Sequence, residues 1–338
     1  MKKILLCFFM MLICQASYGQ ENINSQQHKK QYSQISPKKK YPVKKVVKKS
    51  VSTTANANHS HVKTISKPPQ KPASKPIHAV VKKPVTTQNQ VSNFAVLAVD
   101  ANTGEILFAK NAHESRYPAS LTKLMTLYVV FDLLDRDRLS LNDKIRFSKN
   151  ASEKPRSKLG VQAGDSITVK EAINALIVLS ANDVAAAVAE HVAGSEVEFG
   201  KLMTRKAKAL KMYKTNFYNP SGLFHPEQKT TASDMIKLGI ALKQNFPQYY
   251  KYFSKTSFNF RGRDINGHNR ITANYPGAEG LKTGYISQSG FNLISSASRD
   301  QKTIFAAVLG GKTSRERDVY MEKLLDASFT KASGRARL

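Results

Sequence analysis

The sequence predicts an α+β protein: an antiparallel sheet flanked by helices, with a helical lobe inserted between the strands. Three observations point to it. From Asn93 onward the composition turns globular, over about 246 residues, enough for one large domain or two tightly joined lobes. Short β-rich runs open and close that stretch, and helix-periodic runs fill its middle. Strands that bracket helices in this way can meet in one sheet while the helices pack as an insert.

The elements follow in order. "FAVLAVD" and "EILFAK" read as a hairpin, with "NTG" as its turn. Pro118 suits a helix start, and Leu121, Leu124, Met125, Tyr128 and Val129 repeat at helical spacing. The second half of that run is almost wholly apolar, so the helix is expected to be buried. A turn at "AGDS" precedes a helix from about Val169 to Leu179, and "DVAAAVAEHVAG" gives a second helix ending at Gly194. "VEFGKLMTRKAKALKM" is a third, amphipathic and basic. "NPSGLFHPEQKT" reads as a loop, and the helix after it is expected to be capped near Ser233. Strands resume at "KTSFNFRG", and three β-like runs fill "GLKTGYISQSGFNLISSASRDQKTIFAAVLGG". A last helix is expected over about Arg315 to Ser328.

Two segments precede this domain. The chain opens "MKKILLCFFMMLICQASYGQ": two lysines, an apolar run from Ile4 to Ile13, then small residues, the layout of a signal peptide over 1–19 with cleavage expected after Gly19. The apolar run is short of the roughly 20 residues a membrane span needs. Residues 20–92 hold 15 lysines against a single acid, Glu21, and seven of the 13 prolines. So little apolar surface cannot offset the chain entropy of folding, and the segment is expected to be a disordered basic linker. It reads either as a solvated spacer or as an attractor for an anionic envelope surface such as phospholipid, lipopolysaccharide or wall polymer. Its four scattered histidines make no metal site.

Both cysteines, Cys7 and Cys14, lie in the leader. The mature chain therefore has no disulfide framework, thiol nucleophile or cysteine metal site, and Cys14 lacks the small residues before it that lipid attachment needs. The whole chain carries a formal net charge of +29. Nucleic acid is not expected as a partner, because the chain reads as exported, to the periplasm or the cell envelope, and shows no binding motif.

Three clusters in the domain carry chemistry. Ser120 and Lys123 lie three apart at a helix start, so hydroxyl and amine can meet on one face. The helix dipole and burial would both lower the lysine pKa, and a neutral lysine beside a serine is a workable general base. The motif is not unique in the chain; it recurs, for example, at Ser36/Lys39 and Ser60/Lys63. Alone it reads equally as a cap beside a surface lysine. Ser180-Ala181-Asn182 follows the buried run "AINALIVL", where polar side chains either face a cleft or are hydrogen-bonded inside. Lys282-Thr283-Gly284, unique in the chain, suits a strand that exposes a cation and a hydroxyl on a cleft edge, with a glycine allowing close approach. Alone, each of these two reads as ordinary structure.

In this order the three resemble the signature of penicillin-binding proteins and serine β-lactamases, with Ser-Ala-Asn in place of the Ser-Asp-Asn of related enzymes. The longer strings "PASLTKLMT", "LSANDVA", "NPSGLFHPEQKTTASDM" and "GLKTGYISQSGFNL" resemble the D-alanyl-D-alanine carboxypeptidase branch of low-molecular-mass penicillin-binding proteins, peptidase family S11, over nearly all of 93–332. Residues 333–338 form a short tail. The resemblance implies a β-lactamase/transpeptidase-like fold, no cofactor and no metal, and a peptidoglycan stem peptide ending in D-Ala-D-Ala as substrate. It also implies β-lactam antibiotics as covalent inhibitors. Ser120 would be the nucleophile and Lys123 its base. Ser180 and Asn182 would relay protons and position substrate. Lys282, Thr283 and Gly284 would hold its terminal region, and the backbone N–H groups of Ser120 and Tyr285 would form the oxyanion hole. Arg317 falls where similar enzymes place a carboxylate-binding arginine, and Arg270 is a second candidate; each reads equally as a structural or surface ion pair.

The β-rich second domain and amphipathic anchor of longer relatives are not expected in this chain. Short relatives include endopeptidases that cut cross-links, the nearest alternative. A β-lactamase would need a deacylating carboxylate, for which Glu227 is the one tempting residue. A non-catalytic wall-binding protein would have no use for Ser120, Lys123 and Lys282.

Overall fold

The computed structural model describes residues 94–334. The expected leader (1–19), basic linker (20–92) and most of the expected tail (335–338) lie outside the described residues. The chain enters as strand β1 (Ala95–Asp100), turns, and returns as β2 (Ile106–Lys110). Asp100 sets the turn by accepting from Asn102 N at 2.8 Å, an Asx-type contact. A single 3-10 turn, Ala119–Thr122, leads directly into helix α1 (Lys123–Asp135). Eleven side chains of α1 are buried, as expected of a helix apolar on every side.

A small ribbon then forms from β3 (Lys144–Arg146) and β4 (Ser166–Thr168), with the short helix α2 (Lys149–Ser152) between them. Helix α3 (Val169–Asn174) starts with a capping box between Thr168 and Glu171 and widens into a π-helical turn, Ala175–Leu179. Ser180 ends that turn in the left-handed conformation, φ 62°. Helix α4 (Asn182–Ala193) follows, then α5 (Glu196–Ala209). Helix α6 (Ala232–Asn245) is capped by Thr231, whose side chain accepts from Asp234 N, two residues before Ser233, near which the cap was expected. Thr231 has the extended backbone a cap needs, whereas Ser233 already lies within the helix.

The short α7 (Pro247–Tyr250) leads to a second ribbon of β5 (Ser257–Phe260) and β6 (Arg263–Asn266) and to the short helix α8 (Arg270–Asn274). The last three strands are β7 (Ala278–Ile286), β8 (Gly290–Arg299) and β9 (Lys302–Gly311), and helix α9 (Ser314–Gly334) closes the chain. Helix α9 runs six residues beyond the Ser328 expected from sequence.

The main sheet is antiparallel in the order β2-β1-β9-β8-β7. Both of its faces are covered, so its central strands read as continuous apolar runs. Ala95, Leu97, Val99, Phe305 and Ala307 face the large core shared with the helical lobe. The residues alternating with them, Val96, Ala98, Ile304, Ala306 and Val308, pack on Met321, Leu325 and Phe329 of α9. Strand β7 is left as the sheet edge beside the lobe.

Candidate active site

A cleft of about 780 Å³ opens along β7. The 3-10 turn brings Ser120 to its floor, and the side chain is half-buried. Two glycines allow this close packing. A Cβ on Gly284 would lie 3.0 Å from Ser120 N, so strand β7 runs directly against the turn. A Cβ on Gly222, which has φ +88°, would lie 1.9 Å from Ala119 O. That tight approach seats the loop carrying Ser221 beneath the same turn.

Lys123 begins α1 and is fully buried. Its Nζ contacts Asn182 Oδ1 at 2.8 Å, Ser221 O at 2.5 Å and Ser120 Oγ at 3.0 Å. Asn182 is held amide-first, since its Nδ2 donates to Pro155 O at 3.0 Å and Arg156 O at 3.1 Å. That fixes Oδ1 toward the amine. Burial and the charge of Lys282 push the Lys123 pKa well below its usual value, with Asp183 opposing them. A neutral amine has two N–H groups and one lone pair. Asn182 Oδ1 and Ser221 O can only accept, so in the deprotonated amine they would take the two N–H groups and the lone pair would face the Ser120 hydroxyl.

Ser180 sits at the end of the π-helical turn and also lines the cleft. Its Oγ is buried and has no hydrogen-bond partner among the described residues. Asp183 supports this wall from behind: its carboxylate accepts from Leu159 N at 2.9 Å and Gly160 N at 2.8 Å.

On the opposite wall, Thr283, Gly284 and Tyr285 line the cleft. Tyr285 is exposed, and its ring stacks on Phe291 at 4.3 Å. Lys282 departs from the expected exposed lysine. It is buried, its Nζ donates to Thr283 O at 3.2 Å, and it lines a side cavity of about 40 Å³ bordered by Thr283 and His268. Successive strand side chains point in opposite directions, so Lys282 and Thr283 cannot both face one cleft. Burial and Arg317 lower the Lys282 pKa to about 7.

Arg317 lines the cleft but is buried and held by neighbours. Its Nη2 and Nε donate to Asp318 Oδ1 at 2.6 and 2.9 Å, and Nη1 donates to Asn292 O at 3.3 Å. Arg270, the first residue of α8, is exposed on the same rim. Glu227 is exposed and does not line the cleft.

Sequence reasoning missed four participants. Ser221 contributes only its carbonyl, which no side-chain pattern signals. Asp183 adjoins a recognised motif but was passed over. Asn292 ties β8 to the turn through Tyr117 O at 3.0 Å, and its polar side chain inside the apolar run "FNLISS" was the available signal. His268 reaches the cleft from a loop and had no signal at all.

Residues 82–313 match the sequence model of a family described as peptidase S11, D-alanyl-D-alanine carboxypeptidase. The chain belongs to this family. Among its S11 relatives is the D-alanyl-D-alanine carboxypeptidase DacF of Bacillus subtilis, 33% identical over 247 residues, which cover 70% of this chain and 62% of the relative. The chain spans about three-fifths of the length of the first relatives it matches. Penicillin binding protein 5 of Haemophilus influenzae is similar in structure, with a TM-score of 0.67 and 32% identity over 70% of each chain. Penicillin-Binding Protein D2 of Listeria monocytogenes, in its cefotaxime-bound form, has a TM-score of 0.65 and 29% identity, covering 70% of this chain and 96% of that one. The S11 chain thus has the α+β fold of penicillin-binding proteins and transpeptidases.

Proposed function

We propose that this S11 protein is a serine D-alanyl-D-alanine carboxypeptidase that removes the terminal D-Ala from peptidoglycan stem peptides. The observation that carries the proposal is the arrangement around Lys123: its buried Nζ lies 3.0 Å from Ser120 Oγ and within hydrogen-bond reach of two further acceptors, Asn182 Oδ1 and Ser221 O. Lys123 takes the proton as Ser120 Oγ attacks the carbonyl of the penultimate D-Ala. The oxyanion is received by the backbone N–H groups of Ser120 and Tyr285, on segments that Gly284 holds in contact. Collapse of the intermediate breaks the peptide bond, and the leaving amine takes back a proton through Lys123 and Ser180. Water then hydrolyses the ester on Ser120.

Thr283 lines the wall where the substrate's terminal carboxylate would lie, with Lys282 behind it and Arg317 and Arg270 on the same side. Cations gathered on one wall favour an anionic end group there. β-Lactams would acylate Ser120 by the same route.

The opening 19 residues support export to the periplasm or cell envelope. The 15 lysines of residues 20–92 support attraction to an anionic envelope surface. Among the described residues no helix is long and apolar enough to cross a membrane.

The test is mass spectrometry of peptidoglycan fragments incubated with the protein, alongside labelling by a fluorescent penicillin. Stem peptides shortened by one D-Ala, together with a label lost in Ser120→Ala, are the expected result. Dimers split to monomers with no shortening would reassign the protein as an endopeptidase. Absence of both label and product would overturn the proposal.

A further inference from the structure

The loop between β6 and α8 carries a side chain to which the reading above gives no task. The loop is tightly seated. Gly267 N donates to Thr256 O at 2.7 Å, and a Cβ there would lie 3.3 Å from Val178 Cγ1. Asn269 caps α8 by accepting from Thr272 N at 3.4 Å. Between these anchors His268 lines the cleft, and its Nε2 lies 2.9 Å from Thr283 Oγ1.

This hydrogen bond can run in two senses, with opposite consequences for a ligand. If the ring carries its proton on Nδ1, Nε2 accepts from the Thr283 hydroxyl, which then presents only lone pairs to the cleft. If the proton is on Nε2, the ring donates, and the hydroxyl proton is free to point elsewhere. An anionic oxygen in the cleft is repelled by the first arrangement and bound by the second. Desolvation and the cations Lys282 and Arg317 lower the His268 pKa to about 4. The ring is therefore neutral at ordinary pH, and the choice lies between its two tautomers.

We infer that His268 is a positioning residue: its neutral ring donates Nε2–H to Thr283 Oγ1 and turns the Thr283 hydroxyl proton toward the terminal carboxylate of the substrate. The inference rests on the proposed carboxypeptidase reading and deepens it. It makes His268 a determinant of preference for ligands ending in a free carboxylate, acting through Thr283 without touching the reacting atoms.

The experiment compares acylation of the full chain by benzylpenicillin and by its methyl ester, with binding and acylation constants resolved separately. In His268→Leu, efficiency toward the free acid should fall about tenfold, the size expected for one hydrogen bond to a charged group. The loss should appear in the binding constant, and the ester should change less than twofold. His268→Gln, whose amide can donate in place of the ring, should recover most of the loss. The double variant His268→Leu, Thr283→Val should lose no more than Thr283→Val alone. Nitrogen-15 NMR of the wild-type imidazole should show the proton on Nε2, a readout independent of any variant's folding. Equal losses for acid and ester, additive losses in the double variant, or a proton on Nδ1 would each overturn the inference. A wild type that penicillin does not acylate sinks the carboxypeptidase reading and this inference with it. A wild type that is acylated, with an unchanged acid-to-ester ratio in His268→Leu, sinks this inference alone.

Discussion

Two buried lysines, Lys123 and Lys282, flank the cleft floor, and each lowers its pKa for stated reasons. Their effects on folding have a definite sign. Lys282 titrates near pH 7 in the folded protein and at the usual 10.5 when unfolded. Between those values the unfolded chain binds the extra proton, so stability rises with pH across that window, and the full cost of the buried charge is borne below it. Lys282→Met should therefore stabilise the protein at pH 7, by on the order of the 1–4 kcal/mol seen when buried ion pairs are replaced with apolar groups of similar volume. It should also flatten the rise in stability between pH 7 and 10, as urea unfolding at several pH values would show. The same variant should bind carboxylate ligands more weakly. A drop in stability at pH 7 would contradict the argument. Asp183 acts in the opposite sense, raising the Lys123 pKa. Asp183→Asn should shift the acid limb of the acylation–pH profile to lower pH; a shift to higher pH would rule out this role. At this scale the sequence was legible where spacing alone brings groups together, as with Ser120 and Lys123. It was not legible where the partner arrives from far along the chain. His268 and the Ser221 carbonyl meet the site only through tertiary packing, and the buried seat of Lys282 follows from strand alternation that the motif alone did not reveal.

Among the elements, strand β7 and the 3-10 turn define the floor of the cleft by their contact at Gly284. An alanine methyl there would meet Ser120 N at 3.0 Å, Leu121 N at 3.2 Å and Pro118 O at 3.2 Å. The strand would have to withdraw by a few tenths of an ångström or more, carrying Thr283 and Tyr285 with it. Gly284→Ala should thus lower acylation by about tenfold, less than the roughly 100-fold penalty for misplacing reacting groups by a full 1 Å, while leaving the protein folded. Stopped-flow acylation together with circular dichroism checks both halves; unchanged acylation would show that the contact is not needed. The long helices and the hairpins were readable from periodicity and turn residues. The β3–β4 ribbon, α7 and α8 were not, because elements of three to five residues carry too few positions to show a period. The π-helical turn was also hidden. It sets where Ser180 emerges, and no helix-breaking residue within Ala175–Leu179 signals it.

At the scale of the molecule, one sheet separates two cores, and residues 94–334 contain both faces with their covering helices. A chain lacking residues 2–92 should therefore fold and be acylated by penicillin at a rate within about twofold of the whole chain's, given that loop and terminal changes far from a site rarely perturb it. The same deletion should abolish salt-sensitive binding to anionic lipid vesicles, measured by co-sedimentation at low and high ionic strength. Equal binding by both forms would remove the proposed role of the lysine-rich segment. The overall architecture was legible because β-runs at both ends of the domain bracketed the helices. What no local pattern disclosed was the strand order. Strand β1 pairs with β9, so Ala95 lies opposite Leu309. A polypeptide made from its N-terminus onward thus releases the first half of its central strand pair long before the second half exists. The growing chain cannot complete its platform until synthesis is nearly over, and closing so wide a loop makes for slow assembly. If the chain is exported as an open thread, in line with the proposed export, that delay would keep it pliable until it reaches the far side.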